Sequence, residues 1–126
     1  MTYGGDYLYS VLSASTELLA YIGTSLYNGT MVPTTDDSTE TVNFYRVGAF
    51  DGGQEWFRQD WSADCRAKDE KTSRAITWEV FRALNRKSGT IGGFDYFGVG
   101  SVGQTIPPIN AEDVYNTPVT IILRRR

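Results

Sequence analysis

The feature that most constrains this chain is a change of hydrophobic period between Glu55 and Gly89. From Trp56 to Ala67, apolar or small residues alternate with polar ones, which is typical of a β-strand with one buried and one wet face. After the polar run from Lys68 to Thr72, the period becomes that of a helix. The two apolar faces predict one shared interior, formed by Phe57, Trp61, Ala63, Cys65, Ile76, Val80 and Leu84.

Both ends of the predicted helix carry start and stop signals. Asp69 can cap the start, because its carboxylate can accept hydrogen bonds from free backbone N–H groups. Arg86 and Lys87 suit the negative end of the helix dipole, and Gly89 can end the helix.

The helix also has a second apolar side, formed by Trp78 and Phe81. At about 100° per residue, these aromatic side chains lie roughly opposite the first apolar stripe. Two interpretations stay open: the pair packs under another element of the same chain, or it meets a second subunit. Exposed large aromatic residues mark interfaces, so Trp78 and Phe81 are candidate subunit contacts.

The remaining pattern predicts the fold class. A helix is expected from Asp6 to Ile22, with a possible break at Ser13 to Thr16, which have weak helix propensity. Further strands are expected over Thr41–Phe50, Thr90–Val102 and Val114–Leu123. The order α-β-β-α-β-β predicts an α+β domain of two layers, with a four-stranded, mainly antiparallel sheet and two main helices. The length of 126 residues suits a single domain over residues 1–126.

The residue types that enzymes and metal sites use most are scarce. The chain has no histidine and one cysteine, Cys65, so histidine-based nucleophile systems, zinc sites and disulfides are unavailable. The carboxylate pairs Asp60/Asp64 and Asp69-Glu70 have simple structural explanations on a wet strand face and at a helix start. A net charge of -3 gives no general attraction to nucleic acid or to anionic membranes. We therefore expect no enzymatic activity, no cofactor, no metal site and no membrane contact.

Glycine-rich and irregular segments complete the chain. The motif Gly98-x-Gly100-x-x-Gly103 is read as strand glycine, because Pro107-Pro108 and not a helix follows it. The polar, aperiodic segment from Val32 to Glu40 predicts a long exposed loop, which includes Thr34, Thr35, Asp36 and Asp37. The chain closes on Arg124, Arg125 and Arg126, which are expected to project just beyond a last strand that ends at Leu123.

Taken together, the elements resemble a known family, the small tail-completion proteins, or tail terminators, of phages with long non-contractile tails. The segments that carry the resemblance are Tyr7–Leu12, Glu17–Gly23, Leu26–Gly29, Val42–Val47, Trp61–Ala67, Ala75–Asn85, Asp113–Tyr115 and Val119–Leu123. They cover nearly the whole chain as a pattern of elements. Leu26 stands where family members often carry an arginine, and the third strand is unusually rich in glycine.

The resemblance implies a structural role in the virion, in a particle assembled in the host bacterial cytoplasm. Such proteins form a ring, typically a hexamer, that caps the head-proximal end of the tail tube, ends its polymerisation and meets the head–tail connector. Expected partners are other copies of the chain, the tail tube protein, the connector or stopper protein, and passing DNA in the channel.

Candidate contact residues follow from this role. Besides Trp78 and Phe81, they are Trp56, Thr34, Thr35, Asp36, Asp37, Arg124, Arg125 and Arg126. The three arginines are expected to pair with carboxylates such as Asp60 or Asp64 of a neighbouring subunit, and contact with DNA is the alternative. Three other classes stay open: a head-completion or neck protein, a monomeric binding module, and a carboxylate-based hydrolase.

Overall fold

The computed structural model describes residues 4–29, 39–51, 57–108 and 114–125. Within them, the helices are α1 (Gly4–Ser13), α2 (Thr16–Ile22) and α3 (Glu70–Leu84). The strands are β1 (Leu26–Asn28), β2 (Thr41–Asp51), β3 (Phe57–Ala67), β4 (Lys87–Ile91), β5 (Phe94–Val102) and β6 (Tyr115–Arg125).

The strands form one mixed sheet in the order β1-β2-β3-β6-β5-β4. β1 runs parallel to β2, and the other neighbouring strands are antiparallel to each other. The prediction of a four-stranded, mainly antiparallel sheet with two main helices is therefore wrong. The described residues form six strands and three helices.

The sheet is larger than predicted because the sequence pattern did not show β1 and β4 as separate strands. The predicted strand from Thr90 to Val102 is a hairpin, because β4 and β5 turn at Gly92 and Gly93. These glycines have φ values of 61° and 82°, which a two-residue hairpin turn requires and which glycine adopts without steric cost. β1 is only three residues long, and its last residue, Asn28, together with the following Gly29 gives the signal of a turn.

The first predicted helix is two helices, and the break falls at the weak helix formers. Ser15 caps the start of α2, because its hydroxyl accepts a hydrogen bond from the backbone N–H of Leu18 at 3.2 Å. Gly23 ends α2 with a φ of 59°, and its N–H donates to the carbonyl of Leu19 at 2.8 Å. The predicted break is confirmed.

The third helix begins as predicted and ends earlier. The Asp69 carboxylate accepts a hydrogen bond from the backbone N–H of Thr72 at 2.8 Å, which confirms the cap. The predicted stop at Gly89 is wrong, since the helix ends at Leu84 and Gly89 belongs to β4. Arg86, with a φ of 57°, turns the chain directly from the helix into that strand.

The core lies between the helices and one face of the sheet, with β3 near the sheet centre. The prediction of this interior is confirmed for Trp61, Ala63, Cys65, Ile76, Val80 and Leu84, each of which is at most 5% exposed. The side chain of Phe57 is not among those that the structure describes. Removal of these apolar side chains from water is the main force that holds α3 on the sheet.

Glycines in β5 let α3 approach the sheet closely. A β-carbon at Gly98 would lie 3.2 Å from the backbone carbonyl oxygen of Leu84, and one at Gly100 would lie 3.2 Å from the ring of Phe81. Gly98 and Gly100 of the glycine motif are strand glycine, as predicted, and Gly103 follows the end of β5. The physical reason for the two strand glycines is the close passage of a helix over the strand.

α1 covers a further part of the core. α1 contacts β1 and β2 near one edge of the sheet and β4 at the opposite edge, so the sheet curls around it. A β-carbon at Gly4 would collide with the side-chain oxygen of Gln59, so α1 begins tight against β3. Tyr7 stacks on Tyr96 of β5, with ring centroids 4.9 Å apart.

Candidate functional site

The two aromatic residues singled out on α3 differ in their surroundings. The Phe81 ring packs over Gly100 of β5, so internal packing accounts for this residue. Trp78 remains 49% exposed and meets Phe81 in an edge-to-face arrangement with ring centroids 5.4 Å apart. That contact fixes the indole without covering it. A role for Trp78 in a subunit contact stays a prediction.

Two arginines flank Trp78 along the helix. Arg74 and Arg82 lie one turn before and one turn after it, on the same side of α3. Arg74 forms an ion pair with Glu70 at 3.2 Å, and Arg82 forms one with Glu79 at 2.7 Å. Arg74 also donates to the Thr105 hydroxyl at 3.1 Å. The Arg74–Glu70 pair is exposed on both sides and contributes little to stability, whereas Glu79 is only 16% exposed. Any new partner of these arginines therefore adds to or competes with existing contacts.

A groove with a volume of about 520 Å³ runs beside Trp78, between α3 and the end of β5. We call it the tryptophan groove. It is lined by Glu70, Arg74, Thr77, Trp78, Val102, Gly103, Gln104, Thr105 and Thr117. The sequence pattern did not reveal this groove, because its walls come from segments about 25 residues apart along the chain.

A network of hydroxyl groups forms the floor of the groove. The Thr117 hydroxyl lies 2.9 Å from those of both Ser73 and Thr105, and Ser73 donates to the backbone carbonyl of Cys65 at 2.7 Å. Thr77 donates to the carbonyl of Thr117 at 2.8 Å. These bonds join α3 to β3, to β6 and to the segment after β5, so the groove has a rigid base.

The terminal arginines are part of the sheet. β6 continues through Arg125, so the prediction that Arg124 and Arg125 project beyond a strand ending at Leu123 is wrong. Arg124 is exposed, and its neighbours across the strands are Arg58 and Phe97. Arg125 turns to the other face, where its guanidinium carbon lies 4.2 Å from the centre of the Phe94 ring.

The carboxylates expected to receive these arginines already have partners in their own chain. Asp60 forms an ion pair with Arg58 at 2.9 Å, and Asp64 forms one with Arg66 at 3.8 Å. Pairing of the terminal arginines with a neighbouring subunit would have to compete with these contacts. The remaining candidates, Thr34, Thr35, Asp36, Asp37, Trp56 and Arg126, lie outside the described residues.

The sheet face away from the helices is a second surface, and it includes the wet face that the sequence predicts for β3. Along β3, the side chains on this face are all partly exposed, as expected for an antiparallel sheet with one wet side. Phe97 and Val99 of β5 are exposed large apolar residues on this face, opposite Arg124 and Ile122 of β6. Val47, which is also exposed, lies at a bulge of β2.

The described residues give two observations on metal binding and thiol reactivity. No group of three or more histidine, cysteine, aspartate or glutamate side chains in these parts of the chain could hold a metal ion. Burial raises the pKa of the Cys65 thiol to about 12, so the thiol stays protonated at neutral pH. None of the helices described in this structure is long and apolar enough to cross a membrane.

Comparison with solved structures gives full-length likenesses. The chain matches a chain of the virion of a native gene transfer agent particle with a TM-score of 0.73 and 16% identity, over 98% of both chains. A second solved structure matches with a TM-score of 0.65 and 10% identity, over 99% of this chain and 97% of the other. No protein-family model and no curated protein matches the chain. At these identities the likeness establishes a shared fold.

Proposed function

We propose that this chain is a structural virion protein of a tailed phage or a phage-like particle. It forms a ring that caps the head-proximal end of the tail tube, ends tube polymerisation and joins the tail to the head connector. It works without catalysis and without a bound cofactor, and it is assembled in the cytoplasm of the host bacterium.

The observation that carries the proposal is the full-length match to a chain of a gene transfer agent virion, at a TM-score of 0.73. The match leaves almost no part of either chain uncovered, so the whole fold is shared and not one motif. The surface of α3 also supports the proposal, because the exposed Trp78 lies between two arginines. Tryptophan and arginine are enriched at the centres of protein interfaces.

A polymerisation assay tests the proposal. The tail tube protein encoded in the same genome is polymerised with increasing amounts of this chain, and tube lengths are measured by negative-stain electron microscopy. We expect tubes to become shorter as the ratio rises, with gold-labelled chain at one end only. Tube lengths that do not change, on tubes whose ends carry no label, would overturn the proposal.

The neighbouring alternative, a head-completion or neck protein, gives a different result in the same experiment. A stopper or adaptor would leave tube length unchanged and would bind the purified head connector. The gold label then marks the tube end if the chain is a tail terminator, and the head connector if it is a neck protein.

A further inference from the structure

Charge is segregated along this chain. No lysine or arginine precedes Arg46, and the only charged side chains of α1, α2 and β1 are the acidic Asp6 and Glu17. By contrast, α3 carries three basic residues, Lys71, Arg74 and Arg82, against Glu70 and Glu79, which gives it a net charge of +1. The helical layer therefore has one acidic part and one basic part.

Each part also exposes large aromatic residues. Tyr9 on α1 is 49% exposed and Tyr21 on α2 is 43% exposed. Glu17 lies one turn before Tyr21 on the same helix side, as Asp6 lies about one turn before Tyr9. We call these four residues the acidic tyrosine surface. Its counterpart is Trp78 between Arg74 and Arg82, beside the tryptophan groove.

The two surfaces belong to different elements of the molecule. α2, which carries Glu17 and Tyr21, leads through three residues into β1, the strand at one edge of the sheet. The tryptophan groove lies between α3 and the end of β5, on the side of the opposite edge strand. α1, which carries Asp6 and Tyr9, and α2 both pack against α3.

We propose that the acidic tyrosine surface of one copy docks against Trp78, its flanking arginines and the tryptophan groove of the next copy. This inference rests on the ring-forming role proposed above and identifies the contact that closes the ring. Contact between two different patches is head-to-tail, and repetition of such a contact by rotation closes a ring.

The chemistry of the two surfaces is complementary. Glu17 meets the guanidinium groups of Arg74 and Arg82, whose side chains are 61% and 67% exposed. The tyrosine rings cover the exposed indole and enter the groove, where their hydroxyl groups reach the polar side chains of Gln104 and Thr105.

Cross-linking tests the contact directly, with tail tubes present. The native Cys65 is fully buried and is expected not to react in the folded protein, so cysteines introduced by Tyr21→Cys and Trp78→Cys should be the reactive ones. A short bismaleimide should join a mixture of the two single variants into dimers, and either variant alone should stay monomeric. The double variant should give a ladder of products whose largest member counts the subunits of the ring.

Charge reversal provides the matched test. Glu17→Arg and Arg82→Glu should each abolish the ladder, and the two together should restore it. Lys87→Glu and Asp95→Arg reverse exposed charges on the β4–β5 hairpin and should leave the ladder unchanged.

The outcomes separate this inference from the proposed function. Rings at tube ends without a Tyr21–Trp78 product would overturn the contact and leave the proposed function standing. A cross-linked product of Trp78→Cys alone would indicate a two-fold contact and would have the same consequence. The ladder without any binding to tubes would support the contact and overturn the capping role. The absence of both the ladder and tube binding would overturn the contact and the capping role together.

Discussion

Replacement of Leu84 by alanine tests the packing that positions α3, and with it the tryptophan groove. Leu84 is 1% exposed at the end of the helix. The change removes three buried carbon atoms, which at about 0.8 kcal/mol each amounts to about 2.4 kcal/mol of lost transfer free energy. The cavity left behind adds to this, so the free energy of unfolding should fall by about 2–5 kcal/mol. Leucine and alanine are both good helix formers, so the backbone contributes little.

Urea denaturation measures this loss, with Arg82→Ala as the control on the same helix. The Arg82 side chain is 67% exposed, so its removal should change the free energy of unfolding by no more than about 0.5 kcal/mol. For Leu84→Ala the midpoint should fall while the slope with denaturant stays constant, since the native and unfolded surfaces hardly change. A loss below about 1 kcal/mol, or one equal to that of Arg82→Ala, would refute the described packing.

Three further predictions concern single residues. Cys65 should not react with a thiol reagent at pH 8 until the protein unfolds, because burial raises its pKa to about 12; rapid reaction in the folded state would contradict its burial. Hydrogen bonds from the backbone N–H and hydroxyl of Thr72 lower the pKa of Asp69 below 3.8, so its carboxylate stabilises the fold above that pH. The stability difference between the native protein and Asp69→Ala should therefore shrink as the pH falls below about 3.8, and a difference that is constant with pH would argue against the cap. Gly98→Ala should destabilise by about 1–3 kcal/mol, because its β-carbon meets the rigid backbone carbonyl of Leu84; urea denaturation that finds no loss would show that α3 can move away.

How far the sequence predicts this fold depends on the length of its repeating patterns. β3 and α3 each repeat their hydrophobic period over more than ten residues. The bounds of β3 and the start of α3 are predicted nearly correctly, and only the end of α3 is misplaced. The β4–β5 hairpin was missed because glycines occupy the positions where an alternating strand would show its apolar face. β1 was missed because a strand of three residues is too short to show any period.

The candidate site shows the same limit. The position of Trp78 away from the apolar stripe follows from its angle on the helix, because a helical projection depends only on local sequence. Its exposure stayed open. The covering of Phe81 does not follow from that angle, since it depends on Gly100, which lies 19 residues later in the chain. The tryptophan groove and the hydroxyl network beneath it depend on contacts between α3 and β6 that only the folded chain brings together.

The most direct test of the proposed role is the position of this chain in the assembled particle. Cryo-electron microscopy of the intact virion should show a ring of this fold between the last ring of tube subunits and the head connector. The curled six-stranded sheet and three helices should fit the density of each subunit. Density for this chain elsewhere in the particle, or purified particles with normal tails that lack it, would contradict the role.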